Sequence, residues 1–283
     1  MQIILNLGAH LCMAPALHRA FARDRPALLA AGVHVWTHAQ TRGGTLDGVT
    51  GPQGIRTLRR LHKTARTRAR VALRCEAAAR AGARRLIVSD PDLLGPLSEG
   101  AGQGILYGAA GERLDRLRLA IPDPDVIHLA IRPLPDWWEA AEDRLADRAI
   151  PRSGMRGRPD RGWRHLIGEV SRAFPDARID VWTQGGDPRS AAAAFQRMTG
   201  LAPSAGSGLA GGVAEPPSSA DRLPPTPPWA TRTWHGILAR ADAEDAAWLH
   251  HGAGALITCR DRAGRISSAP LQGDERDGRR RPA

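Results

Sequence analysis

The sequence predicts an α/β protein: a mostly parallel sheet covered on both faces by helices, with right-handed connections. Two observations carry this. Short apolar runs alternate with amphipathic stretches from residue 1 to about residue 200, the pattern of strands joined by helical crossovers. The 283 residues, 42% hydrophobic and 24% charged, suffice to bury roughly three quarters of the unfolded surface, so the core needs neither disulfides nor metal.

The elements follow in order. Residues 2–9 (QIILNLGA) form a buried strand, residues 15–31 a helix and residues 33–36 a short second strand. Ile55, Leu58, Leu61, Ala65 and Ala72 recur at helical spacing and predict a long helix in an arginine-rich segment. Residues 84–89 (RRLIVS) and 125–131 (DVIHLAI) are the third and fourth strands, with helices at 112–120, 135–148 and 161–174. Residues 178–183 (RIDVWT) make the fifth strand and 188–199 a closing helix. Residues 1–201 are thus one α/β domain.

Beyond it the composition changes. Residues 202–228 are dominated by Ala, Gly, Ser and Pro, too little apolar surface to order a segment, and read as a linker. Trp234, Ile237, Leu238, Trp248 and Leu249 supply an apolar face for a helical appendage at 229–260. Residues 261–283 are a basic tail expected to be disordered.

Charge is unevenly placed. The net +11 is concentrated between Arg56 and Arg85, where eleven cations accompany a single acid, Glu76. The tail adds seven arginines against four acids, counted from Arg260, and the rest is near neutral. Lys63 is the only lysine among 40 basic residues, which removes any other lysine as a catalytic or phosphate-holding group. The segment from Arg56 to Arg85 suits an anionic glycan, a membrane surface or nucleic acid, or is simply a solvated helix face. It has no aromatic residue, which argues against nucleic acid held by base stacking. Cys12, Cys75 and Cys259 are odd in number and far apart, so neither a disulfide framework nor a cysteine zinc site is expected. No apolar run reaches the ~18–20 residues of a membrane span. The start also lacks a signal-peptide pattern, and a cytoplasmic protein is expected.

Open parallel sheets bind ligands beyond the carboxyl ends of their strands. The candidates are therefore Gly8, Ala9 and His10, then Ser89 and Asp90, Arg132 and Pro133, and Thr183 and Gln184. A strand, a glycine turn and a helix start at residues 5–17 make a generic anion site of backbone amides, to which Arg132 adds a bidentate cation. His10 is a candidate acid or base, or a hydrogen-bonded structural residue. Asp90 is a second candidate, or the start of an Asp-Pro turn. The letters GSGLAG at 206–211 match a dinucleotide fingerprint but follow no strand. No Walker A, GxSxG or HExxH pattern is present. Of the adjacent Trp137 and Trp138, at least one belongs to the core.

Several stretches, in this order, resemble one family. They are Leu5-Asn6-Leu7-Gly8-Ala9-His10 before a helix, Leu86-Ile87-Val88-Ser89-Asp90-Pro91-Asp92-Leu93-Leu94-Gly95, and Ala130-Ile131-Arg132-Pro133 with Asp136-Trp137-Trp138. The last runs from Ala173 to Trp182 (AFPDARIDVW) and closes with Met198-Thr199-Gly200-Leu201. Together they resemble bacterial sulfotransferase-like proteins of the P-loop fold across residues 1–201. The resemblance implies a three-layer sandwich and transfer of a sulfuryl group from the nucleotide PAPS to a hydroxyl or amine. It implies donor binding at Gly8, Ala9, His10, Leu11, Cys12 and Arg132, with His10 and Asp90 catalytic and no metal. The family's loop after the position of His10 carries a cation, hydroxyls and a glycine. Here stand Leu11, Cys12, Met13, Ala14 and Pro15, with Ala140 where a phosphate-binding serine belongs and Pro91 where a second acid often stands. Three functions follow as expectations: weak PAPS-dependent sulfotransfer, a catalytically inactive relative that binds a nucleotide, a sulfated or phosphorylated small molecule or a partner, and an anionic-polymer binder acting through the basic helix.

Overall fold

A computed structural model describes residues 1–50, 58–101, 104–121, 123–146, 161–183, 188–205, 209, 228–251 and 257–260. Five strands form where apolar runs were expected: β1 (Gln2–Asn6), β2 (Val33–Thr37), β3 (Arg85–Ser89), β4 (Val126–Ile131) and β5 (Arg178–Thr183). A sixth, β6 (Ile257–Arg260), pairs with β5 where the sequence suggested only a helical appendage. All pairings are parallel, in the order β2-β3-β1-β4-β5-β6. β4 is buried at all six positions, as expected for a central strand covered on both faces.

Helices fill the crossovers. The expected helix at 15–31 is split at Asp24 into α1 (Ala14–Arg23) and α2 (Arg25–Ala30). The break admits Pro26, whose ring fits only the first turn of a new helix. Short turns α3 (His38–Gln40) and α4 (Asp47–Thr50) precede the long basic helix α5 (Leu58–Arg80). Then come α6 (Ser98–Ala101), α7 (Ala110–Ala120), α8 (Leu134–Ala146), α9 (Trp163–Ala173), α10 (Pro188–Thr199) and α11 (Pro228–His251).

The layers follow from strand order and handedness. Connecting β1 to β2 runs one way along the sheet and β2 to β3 the other, so right-handed crossovers place α1 and α5 on opposite faces. α10 packs with α1, whereas α4, α5, α7 and α9 pack together. The face of α5 that meets this layer differs from the expected one. Thr64, Thr67, Val71 and Ala78 are buried, while Ala65 and Ala72 are exposed and Leu73 is 66% exposed. Gly48 explains the choice: a Cβ there would lie 2.6 Å from Thr67 Oγ1 and 2.9 Å from the Lys63 carbonyl, so α4 and α5 approach backbone to backbone through threonines.

α11 is fastened by carboxylates. Asp242 accepts the Leu134 amide at the start of α8 (2.8 Å), and Asp245 accepts the Trp163 and Arg164 amides at the start of α9 (2.6 and 3.2 Å). Each supplies the acceptor that the exposed amides of a helix N-terminus require. Gly162 makes room, since a Cβ there would sit 2.3 Å from Asp245 Oδ2. Most of the 202–228 segment and the tail at 261–283 lie outside the described residues, as do Gln184 and most of the GSGLAG stretch. Among the described residues, no helix is long and apolar enough to cross a membrane.

Candidate functional site

The carboxyl ends of β1, β3 and β4 converge on the loop at residues 7–13. The loop is tied to β4 by the Leu7 amide on the His128 carbonyl (2.9 Å) and the Ala9 amide on the Ala130 carbonyl (3.2 Å). At its crest stands His10, with a side chain only 16% exposed. Its backbone amide donates to Tyr107 Oη (2.7 Å), and Nδ1 lies 3.0 Å from the same oxygen. Nε2 lies 2.8 Å from Asp92 Oδ1. One proton arrangement satisfies every contact: the His10 amide donates to Tyr107, the Tyr107 hydroxyl to Nδ1, and Nε2–H to Asp92.

The carboxylates are held in turn. Arg42 donates to Asp90 Oδ1 (3.0 Å) and reaches Asp92 Oδ2 at 2.8 Å. Thr41 Oγ1 donates to Asp90 Oδ2 (2.5 Å), and the Asp92 amide to Asp90 Oδ1 (3.0 Å). Asp90 is fully buried, and as N-cap of the turn at Pro91–Leu93 it places Asp92 beside His10. The Trp137 indole N–H donates to the His10 carbonyl (2.9 Å). Leu11 (φ 63°) and Tyr107 (φ 47°) are the two non-glycine residues with positive φ among the described residues. Such backbone strain, about 1–3 kcal/mol each, persists only where the surroundings impose it, and it gathers at functional sites. Both flank the His10–Tyr107 contact.

Electrostatics favours the arrangement as drawn. The hydrogen bond from His10, aided by the charges of Arg42 and Arg113, holds Asp92 below the ordinary carboxylate range despite partial burial. The hydrogen bond to Asp90 raises Arg42 further above its usual value. Burial lifts Tyr107 well above the ordinary phenol value, so its proton stays in place to be donated. Burial also pushes the Cys12 thiol up to about 12, against the opposing charge of Arg132.

The expected site residues are therefore brought together, with different roles available to them. His10 and Asp90 share one network, bridged by Asp92 and Arg42. Arg132 follows β4 and donates through Nη1 to the Leu11 carbonyl (3.1 Å), while its own carbonyl accepts the Trp163 indole N–H (2.8 Å). Four of the loop's amides donate within the protein: Leu7, Ala9 and His10 as above, and Cys12 to the Ala9 carbonyl at 3.3 Å. Cys12 and Met13 are buried in the core. The atoms nearest to a Cβ on Gly8 would be those of Asn6 and Ala14 at 3.5–3.9 Å, an ordinary contact. Among the described residues the loop supplies neither the hydroxyls nor the cation expected for the 5′-phosphate of PAPS. Arg132 alone stands where a phosphate contact was expected. Trp137 and Trp138 are both buried, edge-on at 5.0 Å between centroids.

Sequence reasoning missed Thr41, Arg42, Asp92 and Tyr107. Asp92 was visible as the second acid of Ser89-Asp90-Pro91-Asp92. Tyr107 was visible only as the sole tyrosine of the chain. A second polar cluster lies behind the loop: Asn6 Nδ2 donates to Ser89 Oγ (2.9 Å), which also meets His18 Nε2 (2.9 Å), and His18 stacks on His38. Burial and the neighbouring His38 depress the His18 pKa and favour its neutral ring. Among the described residues, no group of three or more His, Cys, Asp or Glu side chains is arranged to hold a metal ion. Comparison with protein-family models, curated proteins and solved structures found no match.

Proposed function

We propose that the chain is a catalytically silent protein on a sulfotransferase-like, P-loop-like scaffold. Its cleft at the carboxyl ends of β1 and β4 binds an anionic group, such as a nucleotide phosphate, without transferring anything. Support comes from the central place of β1 between β3 and β4, from the loop that leads it into α1, and from Arg132 against that loop. One observation carries the silent half of the reading. A general base must present a free lone pair to the acceptor's proton, and His10 has Tyr107 on Nδ1 and Asp92 on Nε2.

The test is a thermal-shift titration with PAPS and with its desulfated product, run beside mass-spectrometric detection of sulfated product over a panel of hydroxylated acceptors. Stabilisation by the desulfated nucleotide, lost in Arg132→Ala, with no sulfated product is the expected result. Arg132-dependent product overturns the silent reading; absence of any stabilisation overturns the nucleotide.

A second reading rests on α5. Lys63, Arg66, Arg68 and Arg74 are exposed along it, and its only acid, Glu76, is paired with Arg80. That unbalanced face suits a sulfated glycan. Heparin retention that falls with salt, and falls further in Arg66→Gln/Arg68→Gln, supports it; retention unchanged by the double substitution removes it.

A further inference from the structure

At the amino edge of the sheet, opposite the cleft, lies a cavity of about 190 Å³ lined by Gln2, Arg85, His128, Arg178, Asp180 and Arg197, among others. Register brings them together. Gln2 pairs with Arg85, and His128 with Asp180, so the side chains project from one face of four neighbouring strands. α10 roofs that face and supplies Arg197.

The charges do not balance. Among the described residues that line it, three guanidinium groups meet a single carboxylate, an excess of two positive charges. Asp180 is fully buried, with Arg178 Nε at 3.5 Å, Arg197 Nε at 3.6 Å and His128 Nε2 at 3.9 Å. Each guanidinium carries five N–H donors, so most of those on Arg178 and Arg197 remain for another acceptor. These two are 44% and 45% exposed and stand toward the mouth. Arg85 is fixed deeper, with Nε on Gln2 Oε1 (2.9 Å) and Nη1 on the Met198 carbonyl (2.7 Å). Burial, and after it the nearby charge of Arg197, lowers its pKa. His128 is braced by stacking on Trp182 at 5.3 Å.

We propose that this cavity binds a small doubly charged oxyanion, phosphate or sulfate, between Arg85, Arg178 and Arg197. Size limits the class. Ligand pockets for drug-sized molecules start at roughly 300 Å³, so a tetrahedral anion with a few waters of ~30 Å³ each fits where a nucleotide does not. Planar guanidinium forks match such oxygens in bidentate fashion.

The experiment titrates the full chain with inorganic phosphate, and separately with sulfate, at constant ionic strength set by chloride, and reads the melting temperature. Saturable stabilisation beyond chloride is expected, with apparent affinity at least tenfold weaker in Arg178→Gln/Arg197→Gln and unchanged in Arg66→Gln/Arg68→Gln on α5. A stronger response to phosphate or to sulfate identifies which anion the site prefers. The proposal is overturned if neither anion exceeds chloride, or if the cavity variant responds like the wild type. Should that variant not fold, the His128 ring proton signal of the wild type decides: a saturable shift with either anion supports the site, and a signal unmoved by both overturns it.

Discussion

The two ends of the sheet handle buried charge in opposite ways. At the carboxyl edge His10, Tyr107, Asp92, Asp90, Arg42 and Thr41 meet at 2.5–3.0 Å, with each acid facing a donor. At the amino edge Arg178, Arg197 and His128 approach Asp180 at 3.5–3.9 Å, and Arg85 lines the same cavity. A network closed on itself has little left to offer a ligand, whereas an unbalanced one gains most from a guest of opposite sign. In an open α/β sheet the carboxyl edge is the expected ligand site. Here the side chains around His10 at that edge are already paired with the protein's own groups.

The comparison can be broken most forcefully at Trp137. It is 1% exposed, packs on Trp138, Trp163 and Tyr107, and holds the His10 carbonyl. Trp137→Ala should cost about 3–5 kcal/mol in denaturant unfolding. Gly162→Ala comes next, at about 1–3 kcal/mol, because the new Cβ overlaps Asp245 and must push α11 away from α9. Faster proteolytic cleavage near α11 would confirm where the strain goes. Tyr107→Phe keeps the ring and deletes the hydroxyl, leaving the His10 amide and Nδ1 without their partner. A loss of about 1–2 kcal/mol is expected, together with tighter binding of the desulfated nucleotide, since the His10 amide is then free to donate to it. A variant as stable as the wild type would show that the closed network is not closed.

pH separates the carboxylates at that edge. Asp92 has a lowered pKa, so its stabilisation is present above about pH 4 and lost as pH falls through the lower folded value. Asp242 and Asp245 are raised, chiefly by burial, so their contribution is complete below about pH 4 and declines as pH climbs through their folded values. Asp245→Asn should therefore flatten the decline above about pH 4, read as denaturation midpoints across a pH series. The smallest effect belongs to the amino edge. Arg178→Gln should shift stability by less than about 0.5 kcal/mol in phosphate-free buffer, because Arg178 is half exposed and Arg197 stays beside Asp180.

The strands and most helices were legible because apolar runs and their spacing are local properties. What escaped depended on neighbours. Thr64 and Thr67 look polar in a list of residues, yet Gly48 brings a backbone against them and makes theirs the buried face of α5. Residues 257–260 are too short and mixed to announce a strand, and only the open edge of β5 makes them one. His10, Asp90 and Arg132 were found because the ends of strands can be counted. Tyr107 and Arg42 were not, since each reaches the site from a connection without regular pattern, 97 residues from His10 and 48 from Asp90 respectively.

The strand order also bears on how the chain assembles during synthesis. β4, β5 and β6 extend the sheet outward from β1 in the order they leave the ribosome. Among the described residues β2 pairs only with β3, which must slot between it and β1. Until Ser89 has emerged, β1 and β2 have no bridge between them, and Val33–Thr37 waits as an unattached ribbon beside the nascent α1. The amino-terminal third thus acquires its order late, and translation pauses upstream of residue 89 would prolong the exposure of an apolar, unpaired strand.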